Sequence, residues 1–362
     1  MRINILTPGF TTSNGSAFLF PLVVHNKVLR DAQFDIHFVT RSSAELTECD
    51  VLMIDSKEFR KDWSKKRRSQ TLEIISSYAD SGSRVIWCDT TDSTGTIQSS
   101  VIPYVDRYFK SQILKNKTHY TSQMYGGRIF SHYYNKTAGI EDCIEADINP
   151  TLNSPISTAD TVKLITSWNS GLADYSTYGP WKMGLYRRLG MRLFLSYPGP
   201  LNTPTTNRPK DLSARFGITY SKASVRYQRE QIRQLVSRHL DTNKLSRRSY
   251  MKELRQSKVV LSPFGWGEIT LKDFEVFLTG GMLIKPSMKH MDTWPNFYTD
   301  GVTYQSHNWE LTDLQEKIDW ALDNNQEVQT IAAEGQHRYL RYTSGNNAGE
   351  MFTEHFTDVL SV

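Results

Sequence analysis

Three acids, two glycines and a tryptophan crowd into SPFGWGEITLKDFE, Ser262 to Glu275, and their order suits the capture of a charged ligand. The β-rich run SKVVLS leads in, FGWGE breaks it, and LKDFEVFL sets Leu271, Phe274 and Phe277 or Leu278 on one helical face. Thr270 can cap that helix, and Asp273 stands in its first turn, where an acid suits the dipole. Free N–H groups at a helix start favour a phosphate, which Gly265, Trp266 and Gly267 would adjoin. Glu268 is not needed for phosphate and fits sugar hydroxyls beyond it, while Glu275, further into the helix, could reach a ribose. A plain strand–loop–helix would leave the same cap signals.

Three further loops carry reactive or flat side chains. In TPGFTTSNGSAF, Gly9 and Gly15 allow tight turns and close ligand approach beside Phe10 and Asn14. This loop either faces a second substrate or is an ordinary strand-to-helix turn. DTTDSTG offers Asp89 and Asp92 as a general base or as grips on sugar hydroxyls, against the alternative of an Asx-turn. SWNSGLADYSTYGPW could wall a pocket with Trp168, Tyr175, Tyr178 and Trp181, Asn169 and Asp174 being its polar contacts, or could be a structured aromatic loop. Neither GxGxxG nor a Walker A sequence occurs.

The elements that must hold these loops read as α/β. Apolar runs at 2–6, 35–39, 50–54 and 84–88 predict strands, separated by helical patterns at 17–29 and 69–78. That alternation implies a parallel sheet whose ligands bind beyond the strands' carboxyl ends, which singles out TPGFTTSNGS, DSKEFR and DTTDSTG. The polar stretch 144–160 reads as a linker. Beyond it, strands are expected at 162–167, 191–196, 257–262 and 281–285. Helices are expected at 178–189, 223–240, 270–279, 311–324 and 349–361. The division is thus 1–150 and 151–345, with 346–362 a closing helix that could pack back on the first half. Two such halves predict a cleft between them.

At 362 residues the chain exceeds what one core usually fills, about 250–300 residues. Its 43 basic and 38 acidic side chains leave +5, which suits phosphate ligands or anionic surfaces, as does the run KDWSKKRRSQ; a solvated helix face explains that run equally well. No basic stripe interleaved with aromatics points to nucleic acid. Cys49, Cys88 and Cys143 lie far apart with no CxxC, so neither a disulfide framework nor a zinc site is expected, and a reducing compartment is. MRINILTPGF lacks signal-peptide regions, and no apolar window spans a bilayer, so a cytoplasmic location is expected.

The strand, glycine loop, Glu268, helix and Glu275, followed by TGGMLIKP, resemble the donor site of GT-B glycosyltransferases. The full run SPFGWGEITLKDFEVFLTGGMLIKPSMKHMDTWPNFY is similar to bacterial glycosyltransferases of surface-polysaccharide clusters, the family 1-like or exostosin-like type. TPGF with FLFPL, DTTDSTG, Lys110 with YGGRIFSHYY, and SWNSGLADYSTYGP extend the resemblance over both halves. It implies two Rossmann-like domains facing across a cleft. A nucleotide-diphosphate sugar would sit mainly on the second and a glycan or lipid-linked acceptor on the first. Gly9, Phe10, Asn14, Gly15, Trp168 and Asn169 would be the acceptor contacts.

By the same resemblance Glu275 would hold the donor ribose and Glu268 the sugar or its phosphate. The two stand one position closer than the family pattern. There is no DxD motif, so no metal and no cofactor is expected. The departing diphosphate must then meet helix N–H groups and cations, for which Lys222, Arg226, Arg229 and Lys285 are the candidates, Arg226 and Arg229 on a shared helix face. In an inverting reaction Asp92 or Asp89 is the base, and in a retaining one none is required. Peripheral contact with the inner membrane face fits such an acceptor. A nucleotide-sugar 2-epimerase of the same architecture, or a non-catalytic nucleotide- or sugar-binding module, are the other readings.

Overall fold

The computed structural model describes residues 1–62, 65–142, 153–236 and 240–361. Strands β1 (Arg2–Leu6), β2 (Asp35–Val39), β3 (Val51–Asp55), β4 (Arg84–Asp89) and β5 (Arg107–Lys110) run parallel in a first sheet. β3, VLMID, is buried at every position, and β4 at every position but its first. Such continuous apolar runs are what a parallel sheet covered on both faces demands. β2, at the edge, is mostly exposed.

After β6 (Gln112–Leu114), β7 (Leu164–Thr166) returns to this sheet and completes the order β2-β1-β3-β4-β5-β7. The sequence reading has this strand opening the second half. Instead its LIT pairs with the free edge of β5, Ile165 opposite Phe109, so the first sheet reaches past residue 150. The second sheet, β12-β10-β9-β8, is also parallel and comprises β8 (Lys210–Ser213), β9 (Ser257–Leu261), β10 (Met282–Pro286) and β12 (Gln305–His307). Between β10 and β12, β11 (Met291–Thr293) leaves this sheet and pairs antiparallel with β6 of the first half. The fold is therefore α/β with two parallel sheets, as expected.

The helices are α1 (Ser13–Val24), α2 (Asn26–Asp31), α3 (Lys65–Ala79), α4 (Ile129–Ala138), α5 (Gly179–Leu189), α6 (Ala223–Val236), α7 (Arg247–Gln256), α8 (Leu271–Thr279), α9 (Leu314–Asp323), α10 (Asn325–Tyr342) and α11 (Ala348–Ser361). Met191–Ser196, expected as a strand, contains only a 3-10 turn at Arg192–Phe194. Gly190 ends α5 in the left-handed conformation, and Leu193 is left 68% exposed with no sheet to bury it. Of the expected linker, 144–152 lies outside the described residues, as does Cys143, while Ile156 N–H bonds Tyr120 O at 2.9 Å.

One buried apolar cluster joins the halves, running from Ile3 and Phe20 through Trp168 to Phe274 and Phe356. α11 contributes to it, with Phe356 edge-on to Phe34 at 5.1 Å between centroids. Each such side chain removed from water contributes about 1.5–3 kcal/mol. Among the described residues no helix is long and apolar enough to cross a membrane.

Candidate functional site

The loops after β1, β3 and β4 open onto one cleft of about 730 Å³, closed on its far side by the loop between β9 and α8. In the first sheet the strand order reverses between β1 and β3, the place where α/β sheets present a crevice. All three loops chosen from the sequence reach it: Thr12 to Asn14, Lys57 and Arg60, and Asp89 to Asp92 line the cleft.

The first wall is dense in charge. Asp89 is fully buried, salt-bridged to the equally buried Lys110 at 2.8 Å, and accepts from the Tyr108 hydroxyl at 2.7 Å. Burial raises its pKa, but Lys110 and these hydrogen bonds hold it below the usual carboxylate range. It is a charged structural partner and not a free base. Asp92, three residues on, is half-buried in the cleft and accepts from Asn14 Nδ2 at 2.9 Å, which leaves it room for a ligand. Burial lowers the pKa of Lys57 against the opposing pull of Asp89, Asp92 and Asp55. Asp55 accepts from Thr7 and Thr90 and so ties the three loops together. Gly15 sits in the first turn of α1, where a Cβ would come within 2.9 Å of Thr12 Oγ1. Gly9 turns the loop at φ +71°.

The second wall is mostly backbone. Thr270 caps α8 and Asp273 closes a capping box, bonding Thr270 N at 3.1 Å. Gly265, Trp266, Gly267, Thr270 and Leu271 face the cleft, with the Trp266 side chain 42% exposed. Arg229 joins them, held by Phe264 O at 2.6 Å and Gly217 O at 2.8 Å and lying 4.6 Å over the Tyr220 ring. The start of α1, capped by Thr12, opens on the same cleft, so two helix N-termini present N–H groups to one space.

Other assignments shift. Glu268 has no exposed surface. Its carboxylate accepts from Thr94 N at 3.0 Å, Thr94 Oγ1 at 2.7 Å and Ser93 Oγ at 3.3 Å, with His290 Nε2 at 3.6 Å. Burial pushes its pKa up, yet His290 and Thr94 hold it at about 2. It pins the second half to the first and does not face the cleft as a sugar contact or catalytic acid would. Gly267 lies at the same seam, where a Cβ would meet Ser93 N at 2.4 Å.

Lys285 is buried against Asp273 at 3.1 Å, away from the cleft. Arg226 and Arg229 straddle the edge of the buried face of α6: Arg226 is exposed and 3.9 Å from Glu230, while Arg229 is buried. Lys222 is half-buried and outside the cleft lining. Asn169 is fully buried, bonding Thr293 Oγ1 at 3.1 Å and Pro295 O at 3.3 Å, which makes it a strut. Trp168 touches the cleft, but its ring stacks on Phe18 and its N–H bonds Phe18 O at 2.9 Å. Tyr178 and Trp181, expected as pocket walls, are 69% and 64% exposed.

A smaller pocket of about 280 Å³ adjoins the cleft past Thr12, Ser13 and Leu271. Phe10, Arg187 and Glu275 line it, and Glu275 is ion-paired there to Arg247. Burial pushes the Glu275 pKa up against the pull of Arg247. Lys57, Arg60 and Tyr220 line the cleft and Arg247 the side pocket, though no local motif announced them; only the strand-end rule marked the loop holding the first two. Among the described residues no three His, Cys, Asp or Glu side chains gather as a metal site needs.

The resemblance read from the sequence is borne out over the second half: residues 210–353 match the family model described as Glycosyl transferase-like. No curated protein sequence matches the chain. Among solved structures, HepE of Anabaena in complex with UDP-glucose is 10% identical, with 100% of this chain and 99% of that one covered at a TM-score of 0.43. A glycosyltransferase from Rickettsia africae is 9% identical, with 99% and 98% covered at 0.45. The pneumococcal O-GlcNAc transferase GtfA, with UDP and GlcNAc, is 10% identical over 86% of this chain and 56% of that one, at 0.41. At these scores the likenesses carry no inference about this chain's ligands.

Proposed function

We propose, on the premise of a glycosyl transferase-like second half, that the chain is a glycosyltransferase moving a sugar from a nucleotide diphosphate to a glycan or lipid-linked acceptor. The supporting observation is the opposition, across one cleft, of an anion-receptive wall and an acid-bearing one. The donor diphosphate would lie at the start of α8 beside Gly265 and Gly267, with Arg229 as its cation. As the bond from the anomeric carbon to phosphate oxygen breaks, its electron pair stays on the diphosphate. The helix N–H groups and Arg229 would meet that charge, which supports a step without a metal. The side pocket would take the nucleoside, Glu275 bonding the ribose.

The acceptor hydroxyl would approach from the first wall. In an inverting transfer Asp92, oriented by Asn14, takes its proton as the new glycosidic bond forms. A panel of nucleotide-diphosphate sugars, read by thermal stabilisation and then by acceptor-dependent release of nucleotide diphosphate, tests this. One donor should stabilise the protein and be consumed only with acceptor; a panel without effect would overturn the reading. Glu275→Ala should weaken donor binding about tenfold, or ~1.4 kcal/mol, by calorimetry, and unchanged affinity would remove the ribose assignment.

A further inference from the structure

α5 and the turn after it leave one side outside the core. Of the eleven residues Gly179–Leu189 only Gly179 is buried, although the helix carries Trp181, Leu185 and Leu189 at i, i+4 and i+8 along one side. Trp181 is 64% exposed, Leu189 56% and Leu193 68%, with Tyr178 at 69% beside them. No acid occurs from Tyr178 to Ser196, while Lys182, Arg187, Arg188 and Arg192 all do. Lys182 pairs with Asp174 at 3.4 Å and Arg192 donates to Asn26 at 2.7 Å; among the described residues Arg187 and Arg188 have no ion pair. A helix that packs Met183 and Tyr186 against the core on one side and leaves Trp181 and Leu189 outside it on the other, beside the unpaired Arg188, is the make-up of a segment that lies in a bilayer interface, its aromatic and aliphatic groups among acyl chains and its cations at anionic headgroups.

We infer that Tyr178 to Leu193 is a docking surface for an anionic lipid bilayer. The charge complementarity selects this occupant, because a second copy would set the same cations against themselves about a two-fold axis. The opposite side of α5 supplies Pro180, Met183, Gly184 and Arg187 to the pocket that holds Glu275, so docking brings the bilayer next to that pocket. This deepens the reading of a lipid-linked acceptor, but the surface stands on its own exposure and charge.

The test is flotation of the full chain with vesicles of phosphatidylcholine alone or mixed equally with phosphatidylglycerol. The protein should float with the mixed vesicles, less so in high salt, and hardly at all with phosphatidylcholine. Trp181→Ser with Leu189→Ser and Leu193→Ser should cut the floated fraction about tenfold. Arg188→Glu, a single exposed change that leaves the apolar side chains in place, should lower flotation and weaken its salt dependence. Stabilisation by a nucleotide sugar, unchanged in both variants, shows separately that the fold and the donor site persist. Failure of the wild type to float with anionic vesicles, or equal flotation of both variants, would overturn the proposal. So would a wild-type dimer in sedimentation that the triple variant converts to monomer without affecting flotation.

Discussion

The two walls of the cleft solve opposite problems. On the first, side-chain charges of both signs face one another: Asp89 pairs with Lys110, Lys57 sits among three carboxylates, and Asp92 keeps a free side. On the second, the polarity is that of backbone N–H groups at α8 and one arginine fixed by two carbonyl oxygens. A mutually paired wall is rigid and holds its remaining acid at a fixed place, while an unpaired one is ready for an incoming anion. Under the proposed reading, acid–base work falls to the first half and charge capture to the second.

That contrast can be broken from either side. The largest effect is expected of Asp92→Asn, which should slow transfer by ~10²–10⁴ while stabilisation by the donor is retained; undiminished turnover would take the base away from the first wall. Lys110→Met leaves Asp89 buried without its cation and should cost about 3–5 kcal/mol in denaturant unfolding; a near-neutral result would mean that the pair does not organise this wall. Gly267→Ala forces a Cβ against Ser93 and should cost about 1–3 kcal/mol, whereas at Gly265, whose nearest atoms would be 3.5 Å away, Ala should change stability by ~0.5 kcal/mol or less. Equal costs would mean that the seam is looser than drawn.

The last effect concerns pH. The Glu268 pKa in the folded chain, about 2, lies below its ordinary 4.5. Its contribution is therefore complete above about 4.5 and fades as pH falls toward 2. Glu268→Gln should be destabilised by ~2–3 kcal/mol at neutral pH, with the gap to wild type closing only in that acid window. A gap that is constant with pH would deny the carboxylate its role.

The α/β class and the loops that line the cleft are legible in the sequence, because short apolar runs mark buried parallel strands and such sheets open their crevice at the strand ends. The role of each charged side chain is not, because it depends on burial that only the packed chain decides. Asp89 and Asp92 share one seven-residue motif, yet Lys110, from the neighbouring strand, claims the first and leaves the second open. Arg226 and Arg229 differ by one helical turn and by the whole width of a burial boundary. Glu268, one position closer to Glu275 than the family pattern, meets the Thr94 loop and not the cleft. The strand β7 was legible as a strand, but its sheet was not, since a three-residue apolar run names no partner.

The ribbon of β6 and β11 takes one strand from each half, Ile113 opposite Asp292, and is continued by Lys115 N–H bonding His290 O at 2.9 Å. Those amides are shielded only while the halves stay together, so their exchange with deuterium reports how often the two halves part. A donor that bridges both walls would slow that exchange in proportion to its occupancy, whereas a ligand held by one wall alone would leave it unchanged.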